Sequence, residues 1–116
     1  MLVIGIGART GVTADELEAL VVEVLGDKVD EVIAVATLDT KAQETGLRML
    51  CVRRGWNLHS HTAEQLAAVD VPTPSAKAKA AVGTPSVAEA AAMLHGKLTK
   101  TKASSDVATV AVAKVP

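Results

Sequence analysis

With 116 residues, 49% of them apolar, the chain has material for one domain over residues 1–116 and is too short for a second independent core. Its net charge of −1 and single aromatic residue, Trp56, remove both the field and the stacking surfaces that nucleic-acid binding needs. One cysteine excludes an internal disulfide, no apolar run is long enough for a bilayer, and no basic, long-apolar leader opens the chain, so a cytoplasmic protein without a membrane partner is expected.

In chain order, Leu2-Val3-Ile4-Gly5-Ile6 is a continuous apolar run closed by Gly7, the pattern of a strand buried on both faces. Thr13 followed three residues later by Glu16 is a capping box. It opens a helix whose apolar stripe is Leu17, Leu20, Val21, Val24 and Leu25, and Gly26 stops it. Glu31 to Ala36 is a second buried-strand pattern. The helix after it carries Leu47, Leu50, Cys51 and Arg54 on one face and ends at Gly55. Cys51 is therefore read as a buried thiol. Trp56 to His59 reads as a short third strand, and Thr62 with Gln65 caps a short helix through Val69.

Pro72 to Ser75 reads as a turn and Lys77 to Val82 as a brief helix stopped at Gly83. Ser86 and Glu89 form another capping box, opening a helix through Leu94. Lys97 to Thr99 is a weak strand, Lys100 to Asp106 a polar loop, and Val107 to Val112 a final strand. Alternating strands and helices predict an α/β fold. It has three layers, with a mostly parallel sheet built from βαβ units and a C-terminal antiparallel hairpin.

Ligands of open parallel sheets bind beyond the carboxyl ends of the strands. Two segments fall there. Gly5-Ile6-Gly7-Ala8-Arg9-Thr10-Gly11 offers close backbone approach, a helix start and a guanidinium, a combination suited to a carboxylate or phosphate. Its Gly-x-Gly-x-x-x-Gly spacing is not the dinucleotide fingerprint, so a nucleotide site has little support, and the same glycines also suit a plain strand-to-helix reversal. Thr37 to Glu44 brings Asp39, Lys41 and Glu44 together. This is either an anion-holding segment with a carboxylate base or a solvated charge cluster at a helix start.

His59 and His61 are two apart and on a strand share one face, but a metal needs a third ligand and none stands at a suitable spacing; no metal and no cofactor are expected. His95 beside Gly96 is explained by a helix end. Ser86 lacks the flanking glycines of a nucleophile elbow and serves as a cap, although a capped helix start also attracts anions. Lys97, Lys100 and Lys102 form a modest basic patch.

These motifs occur together and in order. They are Gly5 to Val12; Ala36-Thr37-Leu38-Asp39-Thr40-Lys41 with Glu44, Gly46 and Leu47; Ala63 to Leu66; and Pro74-Ser75. Val82 to Ala91 comes next, and last Lys100 or Lys102 followed by Thr109 to Ala113. The set resembles the CobE/CbiG C-terminal domain family of cobalamin biosynthesis over nearly the whole chain, in its stand-alone CobE form. The resemblance implies a role in building the corrin ring: binding a precorrin, or assisting another enzyme of that pathway. Longer members of the family open a lactone on cobalt-precorrin-5A with release of acetaldehyde, which implies a hydrolase as the alternative. Precorrins carry many carboxylates around a wide, partly apolar ring. The substrate-binding residues expected are Gly5, Gly7, Arg9, Gly11, Thr37, Asp39, Lys41 and Ser86, with Glu44 and Glu89 as the candidates for activating water.

Overall fold

A computed structural model describes residues 1–72 and 87–116. A sheet of five strands is built in the order β3-β2-β1-β5-β4. The apolar run at the start forms β1 (Leu2–Ala8), the central strand, which pairs in parallel with β2 (Val32–Leu38). β2 in turn pairs in parallel with β3 (Asn57–His61). On the other side of β1 lies β5 (Ala108–Lys114), antiparallel to it, with β4 (Lys97–Ser104) antiparallel to β5 at the edge. Four strands thus point one way and β5 alone opposes them, which gives a mixed sheet with helices on both faces.

Two crossover helices cover one face. α1 (Ala14–Leu25) joins β1 to β2, and its start has the full capping box: Glu16 N–H donates to Thr13 Oγ1 and Thr13 N–H to the Glu16 carboxylate. α2 (Thr45–Arg54) joins β2 to β3 and ends at Gly55, whose φ of 72° is the left-handed stop that glycine adopts freely. Leu17, Leu20, Val21 and Leu25 of α1 and Leu47, Leu50 and Cys51 of α2 pack on Leu2, Ile4, Ile6, Val35, Val110 and Val112. Alternate residues of a strand face opposite ways, so Val3, Ala34, Ala36 and Leu38 face the other layer. Among the described residues that layer is α3 (Ala63–Ala67) and α4 (Val87–Met93). Here alanines pack on alanines: Ala88 and Ala92 meet Ala111 and Ala113. The small side chains let α4 come close, and a Cβ on Gly5 would collide with the Ala88 carbonyl.

Several expectations are corrected. β2 runs on through Thr37 and Leu38, two residues beyond the strand expected over Glu31 to Ala36 and into the expected loop. Lys100 to Asp106 is not a loop up to Ser104, because β4 continues to that residue. A polar strand is stable there because it is an edge, paired with β5 on one side only, and its lysines are the kind of residue that discourages further pairing. Its register shifts twice along the pairing, which also blurs the alternation. Arg54 does not join the buried stripe of α2; it is exposed and ion-paired to Glu18 of α1 at 2.7 Å. Trp56 is buried just before β3 and not within it. All but Pro72 of the expected turn from Pro72 to Ser75, the helix from Lys77 to Val82, Gly83 and the Ser86 cap lie outside the described residues.

Candidate functional site

Because β1, β2 and β3 run in parallel, their carboxyl ends emerge on one side of the molecule. The turn between β4 and β5 arrives there too, where Arg9 N–H donates to the Val107 carbonyl at 2.8 Å. Behind β1 the chain reverses through Arg9, Thr10 and Gly11. Gly11 has a φ of 86°, a conformation that side-chain-bearing residues rarely adopt, so glycine is required at that point. Behind β2 it passes through Asp39 and Thr40 into a 3₁₀ turn, Lys41–Gln43, and then Glu44 at the start of α2.

These two segments are joined by side chains. The Gly11 amide donates to Glu44 Oε2 at 3.1 Å, and Lys41 Nζ donates to Thr10 Oγ1 at 3.3 Å. Glu44 is the N-cap residue of α2 but makes no side-chain bond to its own helix, so its carboxylate is committed across the gap. Asp39 N–H donates to the His61 carbonyl at 2.8 Å, which ties the second segment to the end of β3. Arg9 and Asp39 are exposed, and neither side chain has an ion pair among the described residues. One carboxyl-end surface therefore carries Arg9, Lys41, Asp39 and Glu44 around an ordered glycine turn.

Other expected residues lie elsewhere. Gly5 is buried beneath α4, where its missing side chain serves helix packing, so it presents no surface to a ligand. Gly7 is only partly buried and also lies against α4, near Val87. Thr37 is fully buried, and its hydroxyl donates to the Ile6 carbonyl at 2.6 Å, a cross-strand bond that satisfies an interior polar group. Glu89 is fully buried in α4 and accepts a hydrogen bond from the Lys102 amide at 3.1 Å. That amide lies in the stretch where the β4 register shifts, so Glu89 caps an irregularity of the sheet. The lysines of β4 do not act as one patch. Lys100 Nζ donates to the Val24 carbonyl at 2.8 Å, placing a cation at the end of α1, whose own last turn has no basic residue.

Two features escaped the sequence reading. Beside the Gly11–Glu44 junction a groove runs over the outer surface of α1 and α2. Its parts are about 370 Å³ between Val12, Asp15, Gly46 and Met49, and about 570 Å³ between Gln43, Met49, Val52 and Arg53. Met49 is 53% and Val52 84% exposed, and this is costly display for apolar side chains. The signal was available: both sit off the buried stripe formed by Leu47, Leu50 and Cys51, at positions where a helix is normally polar. Arg53 fixes the groove wall by pairing with Asp15 and Glu18, each at 3.0 Å. Hydrogen bonds from Arg54 and Arg53 hold the Glu18 carboxyl below its ordinary pKa.

The second feature is a cluster of His59, His61 and His95. The His61 and His95 Nε2 atoms are 2.8 Å apart, and the His59 and His95 ring centroids are 4.8 Å apart. Thirty-four residues separate His61 from His95, so no local spacing announces the third ring. The assignment of His95 to a helix end alone is thereby corrected. Among the described residues no group of three or more His, Cys, Asp or Glu is arranged to hold a metal ion.

Comparison with known proteins gives this surface its context. The family described as "Cobalamin synthesis G C-terminus" matches residues 2–113. Over its whole length the chain is 29% identical to a cobalt-precorrin-5A hydrolase of Priestia megaterium, and it spans only 33% of that relative. Among solved structures, CobE, a protein from the cobalamin (vitamin B12) biosynthetic pathway, superposes with a TM-score of 0.89 at 35% identity; the match covers 97% of this chain and 92% of CobE. The cobalamin biosynthesis protein chiG from Agrobacterium tumefaciens str. C58 gives a TM-score of 0.68 at 31% identity, over 99% and 98% of the two chains. A family profile that matches residues 2–113, with the superposition on CobE at 35% identity, leads to one conclusion: the chain belongs to the cobalamin synthesis G C-terminus family.

Proposed function

We propose that this domain binds a polycarboxylated tetrapyrrole intermediate of the precorrin type, with the carboxyl-end surface and the adjoining α1–α2 groove as the binding site. The observation that carries the reading is the junction of the two loops. It gathers Arg9 and Lys41 on one carboxyl-end surface, and the groove that carries the exposed Met49 and Val52 starts at Gln43 and Thr45, on either side of Glu44 in the chain. A precorrin is a broad, partly apolar ring fringed with acetate and propionate groups. A ligand of that kind needs cations at its edge and aliphatic contact on its face. Arg9 offers a planar fork and Lys41 a point charge for the carboxylates. Met49 and Val52 offer apolar area that would otherwise stay in water.

The role is that of a binding or accessory module, which holds the intermediate or passes it to another enzyme of the pathway in the cytoplasm, with residues 1–116 acting as one unit. No helix among the described residues is long and apolar enough to cross a membrane. Titration of the purified protein with precorrin intermediates tests the reading: a shift in the tetrapyrrole absorption spectrum supports it, and an unchanged spectrum at saturating protein removes it.

A second reading draws on the relative named cobalt-precorrin-5A hydrolase. Lactone opening would need a carboxylate to activate water and cations to stabilise the developing negative charge. Glu44 with Arg9 and Lys41 is the set available at the surface, and Glu89 is buried and occupied by the Lys102 amide. Acetaldehyde release from a lactone-bearing precorrin, lost in Glu44→Gln, supports hydrolysis; a full rate in Glu44→Gln removes Glu44 from that role.

A further inference from the structure

The histidine cluster is not used by the binding site just proposed. His59 and His61 project from the same face of β3, the edge strand, and His95 comes from the turn that follows α4. The chain between them includes α3, all of α4 and residues 73–86. The rings therefore form a cross-link between the sheet edge and the far end of the second helical layer.

A 2.8 Å contact between two imidazole Nε2 atoms is a hydrogen bond only when one nitrogen carries a proton and the other does not. Two neutral rings in opposite tautomers satisfy it, and so does one neutral ring with one charged. Two charged rings bring N–H against N–H and positive charge against positive charge. His59, its ring tilted by 33° and centred 4.8 Å from that of His95, adds a third imidazole to the same small volume.

We infer that His59, His61 and His95 form an acid-labile clasp that fastens β3 to the α4–β4 turn when neutral and releases it when His61 and His95 both carry the extra proton. The surroundings favour the neutral state. Burial lowers the pKa of His61, the charge of His59 lowers it further, and a hydrogen bond with Gln65 of α3 partly opposes both. Burial likewise lowers His95, followed by the charges of His59 and His61. Among the described residues no carboxylate acts on either ring, so none of them compensates the incoming charge. The folded state thus resists protons that the unfolded chain accepts from about pH 6.5 downward. Stability is complete above that value and is lost as pH falls through the lowered folded-state midpoints. The same strand end accepts the Asp39 amide, so release of β3 would loosen the second loop of the carboxyl-end surface.

The test is a histidine titration by ¹H–¹⁵N correlation NMR on the intact protein between pH 8 and pH 5, without ligand. The expected result is that His61 and His95 titrate below 6.5, and that at pH 7.5 their Nε2 atoms show one protonated and one bare nitrogen. In His95→Gln the His61 midpoint moves up toward the ordinary value, and the loss of melting temperature between pH 7 and pH 5.5 becomes smaller than in the wild type. Two rings titrating independently at or above 6.5 in the wild type overturn the clasp. So does a His61 midpoint unmoved in His95→Gln. If that variant does not fold, the wild-type titration decides alone.

Discussion

The carboxylate of Glu44 accepts the backbone amide of Gly11 at 3.1 Å, across 33 residues of sequence. The bond closes the reversal after β1 onto the start of α2, and it holds an amide whose direction is fixed by the left-handed φ of the glycine. A hydrogen bond from a neutral amide to a carboxylate is stronger than a neutral pair, but this one is exposed, so its net worth is about 1 kcal/mol. Glu44→Ala is expected to lower unfolding free energy by about that amount and to speed hydrogen exchange at Gly11 selectively. Urea denaturation and amide exchange measure both, and an unchanged Gly11 exchange rate would mean that the junction does not exist in solution.

Gly11→Ala tests the backbone instead of the bond. Nothing lies within 4 Å of a Cβ placed there, so the penalty is conformational alone, roughly 1–2 kcal/mol for forcing the left-handed region. The fold should persist with a lower denaturation midpoint.

Gly5→Ala should be far worse. Its Cβ would meet the Ala88 carbonyl, and backbone cannot swing aside as a side-chain tip can. Overpacking of this kind costs about 3 kcal/mol and is expected to push α4 off the sheet. A variant with wild-type stability by urea denaturation would contradict the close contact between α4 and β1.

Cys51 is buried, and desolvation pushes its thiol up to about 11. At pH 8 a disulfide reagent should react with it slowly in the native protein and at full speed in denaturant. The sign of the linkage follows: the folded state keeps its proton longer, so the contribution to stability is intact below pH 9 and is lost as pH rises toward 11. Equal labelling rates with and without denaturant would place Cys51 at the surface.

Most of the layer facing α1 and α2 was legible because period and capping agree there. Thr13 with Glu16, the stripe from Leu17 to Leu25 and the apolar run of β1 each specify one structure locally. β4 was not, because an edge strand pairs on one side only and Lys100 to Ser104 carries no apolar face to reveal it. Thr37 belongs to the strand for a related reason: its hydroxyl looks polar in sequence, yet the Ile6 carbonyl satisfies it in the interior. The meeting of Lys41 with Thr10 follows from the rule that adjacent parallel strands end together, so that part of the site was readable. The exchange of partners by Glu89, from assumed water activation to the Lys102 amide, depends on a register shift in β4 that no short motif encodes. The histidine cluster is the clearest case of information held only by the tertiary fold.

Binding of an octacarboxylate porphyrin such as uroporphyrin to the wild type and to Arg9→Ala/Lys41→Ala, followed by absorbance and fluorescence at low and high salt, tests the central claim most directly. Loss of two charge-assisted contacts at about 1.4 kcal/mol each corresponds to roughly a hundredfold in affinity, and discounting for solvent exposure leaves at least tenfold. The expected result is wild-type binding that weakens with salt, falls at least tenfold in the double variant and falls again in Met49→Asp. No binding by the wild type, or equal affinity in the wild type and the double variant, would contradict a carboxylate-holding surface at the ends of β1 and β2.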